Sequence, residues 1–315
     1  MVGPVNIPSF TVLQILFGQM FSSRSWPPVY EVILLNVRLP RVLLCALVGS
    51  ALSVAGTTMQ ALFRNPMASP YILGISSGAA FGASLAIVLG ISLVTGIYAV
   101  PLMAFLFALL TVFLVYGIAE VRGRTPVETL LLTGIAVASL FSALVSFMLY
   151  VAGEKLSRIV FWLMGGFWAS DWNKVVIASP LILLGIAATF LFSRHLNLIL
   201  MGEETALNLG LEVETFKKII LVFASLITAA AVSVCGIIGF VGLIIPHAMR
   251  IVVGPNHRIL LPSSCLVGAM FLVWVDTLAR TIIQPTELPI GIITALLGVP
   301  FFLYLLRKRK RITGW

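Results

Sequence analysis

The sequence predicts an all-α, polytopic membrane protein built from two inverted halves. Three observations predict it. The chain is 60% hydrophobic and 10% charged, too few charges to cover a soluble domain. Uncharged stretches such as 71–119 and 259–275 exceed what a single core helix in water requires and suit a bilayer. One punctuated stretch also occurs twice: Ser53-Val54-Ala55-Gly56, Pro66, Ala68 and Gly74 recur as Ser233-Val234-Cys235-Gly236, Pro246, Ala248 and Gly254, all displaced by 180 residues, and Ala51/Ala231 extends the match. With an odd number of spans between them, the copies are inverted, an architecture that builds a pathway between two related halves. Residues 1–315 read as one transmembrane domain with halves near 1–170 and 171–315, and no second domain is visible.

The elements follow in order. Ile7–Phe21 is short, carries Gln14, Gly18 and Gln19, and reads as an amphipathic helix on the outer face. Apolar runs then mark spans at 40–61, 71–92, 97–119, 127–151, 174–193, 219–239, 241–253, 259–280 and 288–306. The run 241–253 is too short to cross as an ideal helix, so it should be tilted, broken or shielded by neighbours. Arg307-Lys308-Arg309-Lys310-Arg311 follows the last run and anchors that end in the cytoplasm by the positive-inside rule.

Loops numbered back from that tail put Arg64, Arg122, Arg124, Arg194, Lys217, Lys218, Arg258 and the five tail cations inside. Arg24, Arg38, Arg41, Lys155, Arg158, Lys174 and Arg280 fall outside, and Arg250 is unassigned. Nine spans place the N-terminus outside. The opening lacks the charged start of a signal peptide, so a preceding membrane helix absent from this sequence is expected.

Several functions are excluded or disfavoured. The net charge of +9 is concentrated in the tail rather than interleaved with exposed aromatics, which argues against nucleic acid. Cys45, Cys235 and Cys265 sit in apolar runs without CxxC spacing, and His195, His247 and His257 are scattered, so no metal site is expected. No G-x-x-x-x-G-K-[ST] loop or H-E-x-x-H helix is present. Gly74-Ile75-Ser76-Ser77-Gly78 matches the nucleophile-elbow pattern formally, but it opens an apolar helix, where small residues serve close packing. An intramembrane protease would need a facing histidine. An ion-coupled carrier would need a buried carboxylate, for which Asp276 and Glu120, both near span ends, are the candidates.

More specific is the series Arg38-Leu39-Pro40-Arg41, Gly49, Gly56, Gln60, Asn65-Pro66-Met67-Ala68-Ser69-Pro70 and Leu73-Gly74. Gly239-Phe240-Val241-Gly242-Leu243-Ile244-Ile245-Pro246-His247 and Glu287-Leu288-Pro289-Ile290-Gly291 complete it. This series, from about residue 3 to 309, closely resembles the FecCD family, permease subunits of type II ATP-binding cassette importers for iron–siderophore, haem and cobalamin. The resemblance implies ten spans in two five-helix halves, of which the first helix is not seen here, a homodimer in the cytoplasmic membrane, and transport without covalent chemistry. It further implies two separate ATPase subunits that hold ATP and Mg, and an extracytoplasmic binding protein; this chain carries no cofactor. Related permeases carry molybdate or tungstate.

Site residues follow from the same resemblance. Gly202, Glu203, Ala206, Leu209 and Gly210 belong to a polar interruption that matches the coupling helix docking on the ATPase. Physically, nine residues bounded by glycines can form one short helix with Ala206, Leu207 and Leu209 as apolar contacts. Arg38, Arg41 and Arg280 match arginines that meet glutamates of the binding protein; Asp276, four residues before Arg280, could instead pair with it along one helix. Asn65, Pro66 and Met67, with Pro126 and Val127, match the cytoplasmic gate, where proline is expected to interrupt a span. Phe161–Trp168 matches a short helix over the outer entrance, or serves as an interfacial aromatic belt.

Overall fold

The computed structural model describes residues 5–17, 26–91, 98–283 and 285–313. Gly18, Gln19 and Arg24 lie outside the described residues, as do the side chains of Lys308, Arg309, Lys310 and Arg311. Among the described residues the regular structure is helical, apart from one isolated bridge between Val121 and Arg124.

Helix α1 (Ser9–Leu16) precedes a continuous helical segment from Pro28 to Leu62. That segment begins as α2 (Pro28–Val32), widens to π-helical turns over Ile33–Arg38, and continues as α3 (Leu39–Leu62). The sequence reading started this span near residue 40. Pro40 has no N–H to offer the preceding turn, and a shift to wider hydrogen-bonded turns lets the helix run through it. The helices that follow are α4 (Ile75–Leu89), α5 (Ala99–Ala119), α6 (Val127–Val151), α7 (Leu156–Met164) and α8 (Trp172–Leu191). After the short α9 (Ser193–Leu200) and α10 (Glu203–Asn208) come α11 (Val213–Cys235), α12 (Val241–Val253), α13 (His257–Thr281) and α14 (Ile290–Thr313).

Six helical segments are long and apolar enough to cross a membrane, and Ile75–Leu89, Val241–Val253 and Ile290–Tyr304 are shorter apolar helices. Together they account for the nine expected spans.

The long-short-long-long order of α3 to α6 repeats as α11 to α14. Five spans (α3, α4, α5, α6, α8) precede α11, so the second set runs opposite to the first. The 180-residue register of the sequence repeat is nevertheless not the structural one. Ser53–Gly56 lie within α3, whereas Ser233–Cys235 end α11 and Gly236 sits beyond it at φ 74°. Equivalent helices start nearer together: Leu39 and Val213 are 174 residues apart, Ile75 and Val241 166.

Helix α3 holds the centre. From Pro40 onward most of its residues are buried, including Ser53, Thr57, Thr58 and Gln60. Glycines let its backbone meet its neighbours directly. A Cβ on Gly56 would fall on the carbonyl of Gly242 at the start of α12, and one on Gly49 would fall on the carbonyl of Gly268 in α13. With no water inside a bilayer to drive helices together, such close backbone approach is a main source of association. The same device operates after Gly74. A Cβ on Gly78 would strike Thr111 and one on Gly82 would strike Met103, so this face of α4 packs closely on α5, as the sequence reading expected of its small residues.

The polar groups gather at two ends. Arg41, Asp276, Glu287, Lys174 and Arg158 share one, which the charge pattern assigns to the outside. Glu203, Lys217, Glu214 and Thr125 share the other. Arg250, unassigned by loop counting, donates to Gln60 Oε1 at 3.1 Å near the cytoplasmic end of α3.

Substituting Gly56→Ala should separate α3 from α12 and cost about 1–3 kcal/mol, as overpacking of a tight core does. A lowered thermal unfolding midpoint in detergent is the expected result; an unchanged midpoint contradicts the packing described.

Candidate functional site

The outer end is organised by one buried guanidinium. Arg41, 8% exposed, begins α3. Its Nε donates to Asp276 Oδ1 at 3.0 Å and its Nη2 to the same oxygen at 2.8 Å. Its Nη1 and Nη2 donate to the two oxygens of Glu287 at 3.0 and 2.8 Å. Glu287 reaches this position because Leu288 N–H donates to the Ala279 carbonyl and Ile290 N–H to that of Gly165. Gly291 lies so close to the Met164 carbonyl that a Cβ would overlap it. The Glu-Leu-Pro-Ile-Gly motif therefore fastens α14 to α7 and α13.

Arg280 Nε stands 3.0 Å from Asp276 Oδ2, the pairing along one helix that the spacing allowed. Two arginines and two carboxylates thus balance. Asp276, a candidate coupling carboxylate, is committed to Arg41 and Arg280 in this state. Arg38 Nη2 donates to the main-chain carbonyl of Val5. The donors of Arg41 are engaged by partners 235 and 246 residues away, which no local pattern reveals.

Beside this cluster lies a cavity of about 940 Å³. Aromatic side chains of Phe161, Trp162 and Trp168 line it together with Arg158, Lys174 and Glu287. The first half of the Phe161–Trp168 stretch is thus the end of helix α7, with Gly165 at φ 67° turning the chain out of it.

The inner end of α3 closes differently from the expectation. Proline does not break the helix there. Arg64 adopts φ 48°, its N–H donates to the Ala61 carbonyl, and Asn65 N–H donates to that of Gln60. This is a left-handed helix stop completed before Pro66, which follows where proline is common. Asn65 Oδ1 then accepts from Met67 N–H at 2.9 Å and holds the turn. Across from it, Pro126 N-caps α6 and Val127 begins that helix. Asn65, Tyr71, Leu131, Ile135, Ser139 and Ser142 line one groove of about 640 Å³, which brings the Asn65 turn against α6. Ser139, Ser142 and Ser146 form an exposed polar stripe on α6 that the sequence reading missed. Its signal was there, hydroxyls at helical spacing in an otherwise apolar run.

Gly202, Glu203, Ala206, Leu209 and Gly210 build α10 and its ends. Gly202 precedes it at φ 119° and Gly210 follows at φ 87°. Gly210 N–H donates to the Leu207 carbonyl and Leu211 N–H to that of Ala206, a paired stop that requires the left-handed glycine. Ala206 is buried against the chain, while Leu207 and Leu209 are 62% and 58% exposed. Two leucines, one on this short, firmly closed helix and one at its C-cap, are thus left exposed.

Residues 1–308 match the FecCD transport family, and the chain belongs to it. It is a multi-pass permease of the cell membrane, a transport component of an ATP-binding cassette system rather than an enzyme, and it works with ATPase and substrate-binding partners. It is 49% identical over 284 residues to the cobalamin import system permease protein BtuC of Halobacterium salinarum, covering 90% of this chain and 76% of that one. It is 43% identical to the hemin transport system permease protein HmuU of Yersinia pestis, covering 89% and 85%. A solved inward-facing transporter, described as of the metal-chelate ABC type, superposes with a TM-score of 0.84 at 38% identity, covering 95% of both chains.

Replacing Arg41 by alanine leaves Asp276 with Arg280 alone and removes the guanidinium from Glu287, and should destabilise the protein by about 1.5–3 kcal/mol, the usual effect of losing hydrogen bonds to charged groups. Thermal unfolding in detergent checks this, and an Arg41→Ala midpoint equal to wild type contradicts the cluster's role.

Proposed function

We propose that this permease imports a metal chelate of the cobalamin, haem or ferric siderophore class, as a homodimer with two ATPase subunits and one extracytoplasmic binding protein. The observation that carries the reading is α10, a rigid two-leucine knob at the cytoplasmic end of a chain that belongs to a transporter family. Such a knob converts closure of a nucleotide-bound dimer into displacement of the spans. A modest difference in affinity for nucleotide between the two conformations is enough to switch them.

The serine stripe of α6 supports a second copy. Hydroxyls facing lipid gain nothing, whereas facing a partner across an axis they line a wet path. Asn65, Pro66, Met67, Pro126 and Val127 close that path from inside. Arg38 and Arg280 receive carboxylates of the binding protein, and Arg41 sets their position through Asp276 and Glu287. The aromatic cavity under α7 suits a bulky, partly apolar solute that must pass without tight capture.

Proteoliposomes holding the permease, its ATPase and its binding protein test the substrate class. Cobalamin, haemin, a ferric siderophore and molybdate are offered in separate arms. One chelate should accumulate with ATP inside; accumulation of molybdate alone overturns the assignment. Leu207→Asp with Leu209→Asp should abolish co-purification of the ATPase and bring uptake to background with membrane insertion intact. Undiminished uptake in that variant contradicts the role of α10.

A further inference from the structure

At the cytoplasmic end a chain of charged contacts runs from α10 to the residue preceding Pro126. Glu203, in the first turn of α10, accepts from Lys217 Nζ at 2.7 Å. The Lys217 side chain, on α11, is 4% exposed and also donates to Glu214 Oε1 at 3.2 Å. The other Glu214 oxygen accepts from the backbone N–H of Thr125 at 3.0 Å and from its hydroxyl at 2.9 Å. Thr125 is fully buried and is followed by Pro126, the N-cap of α6.

The loop at the far end of this chain is stiff. Val121 and Arg124 exchange backbone hydrogen bonds of 2.8 and 3.1 Å around Arg122 and Gly123, which take φ 51° and 77°. That is a two-residue hairpin turn with both central residues left-handed. A loop so closed passes a displacement on instead of absorbing it.

We propose that Glu203, Lys217, Glu214 and Thr125 form an ionic relay that transmits motion of α10 to the gate at Pro126–Val127. The proposal rests on the reading of α10 as the ATPase-docking element. A buried ammonium is costly to leave without an anion, so Lys217 follows whichever carboxylate moves. When α10 shifts, Glu203 draws on Lys217. The hold of Lys217 on Glu214 changes, and with it the grip of Glu214 on the Thr125 N–H and hydroxyl. Nothing else in the relay is loose enough to take up the movement: Glu214 and Lys217 share the first turns of α11, and Thr125 is anchored by two bonds to one oxygen. These four are positioning residues; none touches the solute. The adjacent Lys218, paired with Glu120 at 3.7 Å across an exposed gap and lying over the Tyr116 ring, belongs to a separate contact and serves as a control.

The test measures solute uptake and ATP hydrolysis in the same reconstituted complex, with the solute that wild type accumulates. Lys217→Met and Glu214→Gln should each keep ATP hydrolysis while uptake per ATP falls by about tenfold, within the range of typical coupling between sites. The double variant should be no worse than either single one, as expected for members of one network. Lys217→Arg should recover most of the coupling, and Lys218→Gln should not change it. Equal uptake per ATP in wild type and in Glu214→Gln, the isosteric variant least able to disturb folding, overturns the relay while leaving the docking role of α10 intact. A wild-type permease that never binds the ATPase overturns both.

Discussion

Direct backbone contact along α3 is the constraint on which the rest of the structure depends. Gly49 meets Gly268 and Gly56 meets Gly242, and at each crossing a backbone carbonyl occupies the place a Cβ would take. The helix carries a candidate functional group at each end: Arg38 and Arg41 outside, the Asn65 turn inside. Seated on backbone rather than on flexible side chains, α3 has little freedom to tilt independently of α12 and α13. What happens at one polar end is therefore felt at the other through a stiff element, the kind of physical linkage that coupling over this distance requires.

The two ends differ in their balance of charge. Outside, two cations meet two carboxylates: Arg41, Arg280 and Asp276 are withdrawn from water, and Glu287 is half-exposed. A balanced, hydrogen-bonded cluster fixes geometry even where its net contribution to stability is small. Inside, the contacts are partly open to water, with Glu203 and Glu214 both half-exposed while the Lys217 they share is not. A buried cation between two accessible carboxylates can be redistributed between them, which suits a region that has to move.

Much of this was legible in the sequence, for identifiable reasons. Hydrophobic runs located the nine spans because a bilayer demands long apolar helices irrespective of what they pack on. The glycines bounding 202–210 announced a short closed helix because left-handed stops favour glycine. The end of α3 was misread because Arg64 takes the left-handed position without being glycine, so Pro66 looked like the breaker. The segment 28–38 was missed because prolines at 27, 28 and 40 imitate a loop, while the backbone uses Pro28 as a helix start and π-turns before Pro40. Partners far apart in the chain, such as Arg41 with Glu287, 246 residues away, or Thr125 with Glu214, 89 residues away, leave no periodic trace at all. The 180-residue repeat does not follow the spacing of the helices, because Ser53–Gly56 lie inside α3 whereas Ser233–Gly236 straddle the end of α11.

The most direct test of α3 as a rigid link is a pair of distance measurements by spin labelling in the assembled transporter, with and without ATP. Labels at Val42 and Arg64 should stay about 33 Å apart, as the helical rise dictates, while the distance from Arg64 to Gly123 changes with nucleotide. A Val42–Arg64 distance that shifts with nucleotide while Arg64–Gly123 stays constant would contradict the account.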